Sequence, residues 1–262
     1  MKKVYIDLGH GGTDSGAVGV NNVLEKNIVL EVGKKVELKL KKCGIDVRMS
    51  RTTDIFKSLE YRSSDANKWG ADCFVSIHCN SFNQIAKGIE TYCYKFKYRQ
   101  LADCVHSEMV NAKLYTLNRG VKEGNLYVVR KTNMAACLVE LGFIDNVEDI
   151  NFLLNKQEEF AIAIAKGICK FLGLAWKESS ESSIEGFKSG EYDGRKARVT
   201  ASELNVRYDR WVDGVSEPAK IGKLKKGDIV NLGYCLKGWV GLHGFKGNKG
   251  FGYVNSKYLE LI

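Results

Sequence analysis

The stretch 73–80, CFVSIHCN, constrains the fold more than any other, because an apolar run passes directly into a histidine. Cys73, Phe74, Val75 and Ile77 have the character of a strand that forms a core wall. His78 and Asn80 then fall where an open α/β sheet usually carries its ligand, at the carboxyl end of a strand. Three other segments are candidates for the same place: DLGHGG at 7–12, LEKN at 24–27 and LVELGF at 138–143.

Taken in order, 4–8 is expected as a short strand and the glycine-rich 9–19 as a loop. A phosphate cradle is the rival reading and is disfavoured there, since G-x-G-x-x-G counted from Gly9 needs glycine where Asp14 stands, and no helix follows until about 27. An amphipathic helix over 27–42 buries Ile28, Val32, Val36 and Leu40, with Glu25 just ahead of its first turn. Strand 45–49 and helix 58–68 follow, the latter carrying Arg62, which either reaches the site or is solvated. Beyond the central strand come strand 89–94, helix 98–114, a loop leading to a short strand within 118–129, strand 136–140 and helix 157–172. His106, alone on its helix, is read as a surface or capping residue and left out of the site.

Residues 176–196 are rich in Ser, Glu and Gly and read as a linker. Short alternating runs at 204–207, 229–234, 239–242 and 252–254, separated by glycine turns, suggest a small β-barrel over 197–262. The fold class is therefore α/β: a catalytic domain over 1–175 with a central mostly parallel or mixed sheet flanked by helices, followed by a small all-β barrel. A chain of 262 residues with 44% hydrophobic content is long enough for both cores.

Composition excludes several classes. No apolar run approaches the roughly 18 residues of a membrane span. Asp7 interrupts the opening apolar segment before it reaches export length, so the protein is expected to be made in the cytoplasm without a signal peptide. The eight cysteines contain no CxxC pair, which is free-thiol usage. The net charge of +9 is dispersed, with 25 basic and 20 acidic residues in 1–175 and 15 and 11 in 176–262. A dispersed excess suits any anionic polymer, a teichoic-acid-bearing wall included, and does not by itself select a nucleic acid, which would need a basic patch interleaved with aromatics.

A catalytic zinc site takes three protein ligands, typically nitrogens and a carboxylate, and leaves a fourth position to water. His10, Glu25 and His78 would make such a set, although any strand-end histidine could equally be a satisfied core residue. Glu140 ends a strongly apolar run, where an acid either pairs or works.

The ordered series DLGHGG, LEKN, RSSDAN, ADCFVSIHCN, GIETY, NRGVK and LVELGFIDNVED over about residues 3–173 resembles the zinc-dependent N-acetylmuramoyl-L-alanine amidases. The resemblance implies that His10, Glu25 and His78 bind Zn2+ and that Glu140 is catalytic. Leu8 and the Ala135-Ala136 pair depart from the family's usual prolines, which bears on loop rigidity more than on ligands. Asn80 is a candidate for orienting a ligand or binding substrate, and equally a strand-end turn residue.

The implied reaction hydrolyses the amide between N-acetylmuramic acid and L-alanine of peptidoglycan. Residues 197–262 resemble bacterial Src-homology-3-like wall-binding domains, expected to contact peptidoglycan and wall polymers. The whole is similar to endolysins of phages that infect Gram-positive hosts, which reach the wall through a separate membrane-permeabilising partner. Alternatives are a host autolysin of the same activity, a zinc peptidase cutting elsewhere in the peptidoglycan peptide, a metal-bearing module without turnover, and a nucleic-acid binder.

Overall fold

The computed structural model describes residues 1–177, 187–211 and 217–262, and the chain divides into two compact units, Met1–Lys177 and Glu178–Ile262. Part of the expected linker, 178–186, lies outside the described residues.

In the first unit, β1 (Lys3–Leu8) leads to α1 (Glu25–Lys42), β2 (Asp46–Met49), α2 (Leu59–Trp69) and the central β3 (Cys73–Asn80). Then come β4 (Ile89–Cys93), α3 (Gln100–Asn111), β5 (Asn118–Glu123), α4 (Tyr127–Lys131), β6 (Ala135–Phe143), α5 (Asp149–Asn155) and α6 (Gln157–Phe171). The sheet order is β2-β1-β3-β6-β4-β5, all neighbours parallel except the antiparallel pair β4 and β6. It is the mixed α/β sheet expected from the sequence.

Strand periodicity divides the core. Val4, Ile6, Leu8, Cys73, Val75, Ile77, Cys137 and Val139 join the cluster under α1, α3 and α6. Tyr5, Phe74, Ala136 and Leu138 face the other way, against Ala66 of α2 and Val128 and Val129 of α4. His78 and Glu140 continue that second face toward the carboxyl ends of β3 and β6.

Three expectations need correction. Glu25 is the first residue of α1 rather than just ahead of it. Within 118–129 the expected loop is a strand, 118–123, drawn into the sheet by parallel pairing with β4, and where the short strand was expected a helix begins at Tyr127. The segment 149–155 forms a helix that its weak pattern did not announce.

The second unit is all β: β7 (Lys196–Val199), β8 (Glu203–Arg207), β9 (Lys220–Lys225), β10 (Ile229–Leu236), β11 (Trp239–Leu242), β12 (Gly252–Asn255) and β13 (Leu259–Leu261). Their order is β13-β7-β10-β11-β12-β8-β9, with every pair antiparallel. Ala197, Val199, Val206, Leu232, Val240 and Val254 fill its core, and Phe187 and Tyr192, from the stretch expected as linker, pack against it.

Candidate active site

Four elements bring the candidate residues together. His10 lies in the loop after β1, Glu25 opens α1, and His78 and Glu140 sit in register on β3 and β6. One donor atom from each of His10, Glu25 and His78 lies within 4.8 Å of the others. Glu25 bridges the two rings: Oε2 is 3.1 Å from His10 Nε2 and Oε1 is 2.9 Å from His78 Nδ1. The backbone N–H groups of Cys79 and Ala17 each donate to Glu25 at 2.9 Å, so its carboxylate is held on every side. Asp14 Oδ2, 2.9 Å from His10 Nδ1, fixes the far side of that ring.

The loop permits this convergence only because it is glycine-rich. A Cβ on Gly9 would lie 2.3 Å from the His78 ring. His10 itself adopts φ +58°, a left-handed conformation that costs an ordinary side chain energy and persists only when neighbours hold it. Two buried arginines do the holding. Arg62 Nη1 pairs with Asp7 at 2.8 Å and also donates to the Leu8 carbonyl, while Nη2 donates to the His10 carbonyl at 2.9 Å. Arg51 Nη2 donates to the carbonyls of Gly9 at 2.9 Å and Lys26 at 2.8 Å. Arg62 is thus neither solvated nor in the cluster; it orients the His10 backbone from α2. Arg51 was not singled out in the sequence, where a strand-end arginine carries no distinguishing signal.

Electrostatics separates the two acids. Burial opposes ionisation of Glu25, yet its bonds to His10 and His78 hold it far below the usual carboxylate range. Burial likewise pushes both histidines down, and Glu25 outweighs it and raises them. Glu140 goes the other way: burial pushes it up to about 7, against the pull of His78 and with Glu25 and Glu90 adding to the rise. Its Oε2 is buried and has no hydrogen-bond partner among the described residues. Two imidazoles and one carboxylate are a donor set that suits zinc, and an unsatisfied acid beside them is what a water-activating site requires.

Asn80 donates through Nδ2 to Glu90 Oε1 at 2.7 Å, and its Oδ1 accepts from Ser81 N. His106 corrects the surface reading: it is 6% exposed and lies between Thr91 Oγ1 at 3.0 Å and Asn118 Oδ1 at 2.8 Å, a satisfied core histidine outside the cluster.

Residues 4–170 match the sequence model of the N-acetylmuramoyl-L-alanine amidase family. The sporulation-specific N-acetylmuramoyl-L-alanine amidase of Bacillus subtilis (strain 168) is 36% identical over 211 residues, 78% of this chain and 79% of that protein. The endolysin of Bacillus phage SPP1 is 36% identical over 196 residues, 69% of this chain and 70% of the endolysin. Among solved structures, the catalytic domain of CwlV, an N-acetylmuramoyl-L-alanine amidase from Bacillus (Paenibacillus) polymyxa var. colistinus, aligns with a TM-score of 0.64 at 37% identity, covering 67% of this chain and 100% of that domain.

Proposed function

Because the chain belongs to the N-acetylmuramoyl-L-alanine amidase family and hydrolyses the amide between N-acetylmuramic acid and L-alanine in peptidoglycan, we propose that it does so as a zinc enzyme, with His10, Glu25 and His78 as ligands and Glu140 as proton carrier. The observation that carries this reading is the convergence of three donors beside a buried carboxylate oxygen that no described residue satisfies. When bound, zinc supplies acidity to a water and polarises the scissile carbonyl.

Glu140 takes the proton of the attacking water and delivers it to the nitrogen leaving with L-alanine. In the metal-free site burial raises the Glu140 carboxyl, and a group that both takes and returns a proton is best placed nearer to neutral pH than a free carboxylate. Glu25, held ionised by two histidines, serves as a ligand and not as the base. Arg62 and Arg51 keep the His10 loop in place through its carbonyls.

For the second unit we propose wall binding by a Src-homology-3-like barrel over 197–262, joined through 176–196 to catalysis in 1–175. A cleft of about 320 Å³ lined by Arg210, Tyr234, Gly241, Lys249, Phe251 and Tyr253 supports this, since aromatic faces and cations suit an anionic saccharide. The combined reading is an endolysin that reaches the wall through a separate membrane-permeabilising partner. An autolysin of the same activity is the second reading, supported by a bacterial relative as similar as the phage one. No described helix is long and apolar enough to cross a membrane.

Analysis of digested peptidoglycan tests the reaction. New N-terminal alanine without new reducing sugar ends is expected, and chelation should abolish its release. New N-termini on glycine or diaminopimelate would instead make the protein an endopeptidase.

A further inference from the structure

A row of polar side chains crosses four neighbouring strands, β3, β6, β4 and β5, and leads away from the ligand cluster. His78 is in register with Glu140, Glu140 is in register with Glu90, and Arg119 Nε donates to Glu90 Oε2 at 2.7 Å. Glu90 is 2% exposed and heavily engaged. Its Oε1 accepts from Asn80 Nδ2 at 2.7 Å and Tyr92 OH at 2.6 Å, and its Oε2 also accepts from Lys122 Nζ at 2.5 Å. The proton transfer and ligand set described above use none of Glu90, Arg119 or Lys122.

Neutralising one buried carboxylate needs one cation, and this carboxylate has two, both partly exposed: the Arg119 side chain at 31% and that of Lys122 at 36%. Arg119 commits only Nε to Glu90, and no described residue accepts from Nη1 or Nη2. Its guanidinium lies 5.1 Å from the centroid of the Phe143 ring. An ion pair on one side and an aromatic ring on another hold the guanidinium in one orientation, with two donor nitrogens, Nη1 and Nη2, left for a planar oxyanion.

We propose that Arg119, together with Lys122, forms a carboxylate-binding subsite for the acidic residue that follows L-alanine in the stem peptide, an inference that rests on the amidase reading. Strands lie ~4.8 Å apart, so the backbone of β5 stands about 10 Å from that of β6 along the row. An extended peptide advances about 3.5 Å per residue. A residue one or two beyond a scissile amide at Glu140 therefore falls within reach of the Arg119 side chain. In peptidoglycan that residue is a glutamate linked through its side-chain carboxyl, whose α-carboxyl is either free or capped as the amide. The subsite would tell these two wall chemistries apart, because a guanidinium fork pairs with a carboxylate and gains little from a neutral carboxamide.

The test uses the zinc-loaded protein and two soluble fragments, N-acetylmuramoyl-L-alanyl-γ-D-glutamyl-L-lysinamide and its counterpart with the glutamate α-carboxyl capped as the amide, so that the side-chain carboxyl is linked as in peptidoglycan and only the α-position differs. Wild type is expected to favour the carboxylate about tenfold to a hundredfold in kcat/KM, the usual worth of a charge-assisted hydrogen-bonded pair. Arg119→Gln should bring that ratio close to one, and Arg119→Lys should restore part of it. Binding of the same fragments to Glu140→Gln protein, measured by calorimetry, should show the same preference without turnover. A wild-type ratio near one, or an Arg119→Gln variant that loses both activities equally and keeps the ratio, would overturn the subsite. Release of N-terminal alanine from both fragments upholds the amidase reading whatever the ratio, whereas release from neither overturns both.

Discussion

Glu140 and Glu25 are the same residue type in one cluster, and their surroundings give them opposite properties. Glu25 is surrounded by donors and stays ionised, whereas Glu140 is half-buried with a buried, unsatisfied oxygen, and desolvation pushes it up to about 7. Glu140→Gln keeps the shape and removes the proposed proton carrier. Turnover should fall by about 10²- to 10⁴-fold with zinc content unchanged. His78→Ala should lose metal as well as activity, and a glutamine variant that turns over like wild type would end the general-base role. A second readout comes from stability in the metal-free protein. A carboxyl whose pKa is raised on folding favours the folded state below its unfolded pKa, and that advantage disappears as pH climbs through the folded value. Wild type should therefore lose stability relative to Glu140→Gln between about pH 4.5 and 7. The loss is at most about 3 kcal/mol, at about 1.4 kcal/mol per pH unit. Parallel unfolding curves for the two proteins across that range would show that burial does not raise this carboxyl.

At the scale of elements, the site depends on the loop between β1 and α1 passing very close to two side chains. Gly16 has φ +65°, and a Cβ there would lie 2.6 Å from both Glu25 Oε2 and His10 Cδ2. Gly16→Ala is thus disfavoured twice, by backbone conformation and by contact with two proposed ligands. The expected result is a metal affinity lowered about 10- to 100-fold, as when groups that orient ligands are lost. Zinc titration with a competing chelator measures it, and wild-type affinity would mean that the loop yields without moving His10. The loop's glycines and the strand-end histidine were legible as motifs, because their residue types and order are local. Glu90 was not, although its isolation in the alternating run of β4 was the available signal. Its role exists only because β3, β4 and β5 bring Asn80, Tyr92, Arg119 and Lys122 to one carboxylate.

For the whole molecule the question is what the second unit adds. If residues 197–262 bind wall polymer, tethering raises the local concentration of substrate without altering the chemistry. The isolated unit should then fold, sediment with purified walls and lose that binding as salt rises, since its cleft carries Arg210 and Lys249. Deleting it should slow lysis of intact walls more than cleavage of a soluble muramyl peptide. Equal sedimentation of full chain and catalytic unit would remove the tethering role.

Local patterning was enough to expect the α/β sheet, because an apolar run, a turn and a polar residue at its end are read within one segment; it left the roles of His10, Glu25, His78 and Glu140 open, and the resemblance of the ordered motifs to an amidase family made them candidates. Tertiary structure alone decided what depends on neighbours distant in sequence. It turned 118–123 into an edge strand, buried His106 between Thr91 and Asn118, and gave Arg62 the carbonyl of His10 to hold in place of solvent. It also separated the two glutamates by protonation, since a carboxyl's pKa is set by the water removed and the charges brought near it, and neither is written in the residue itself.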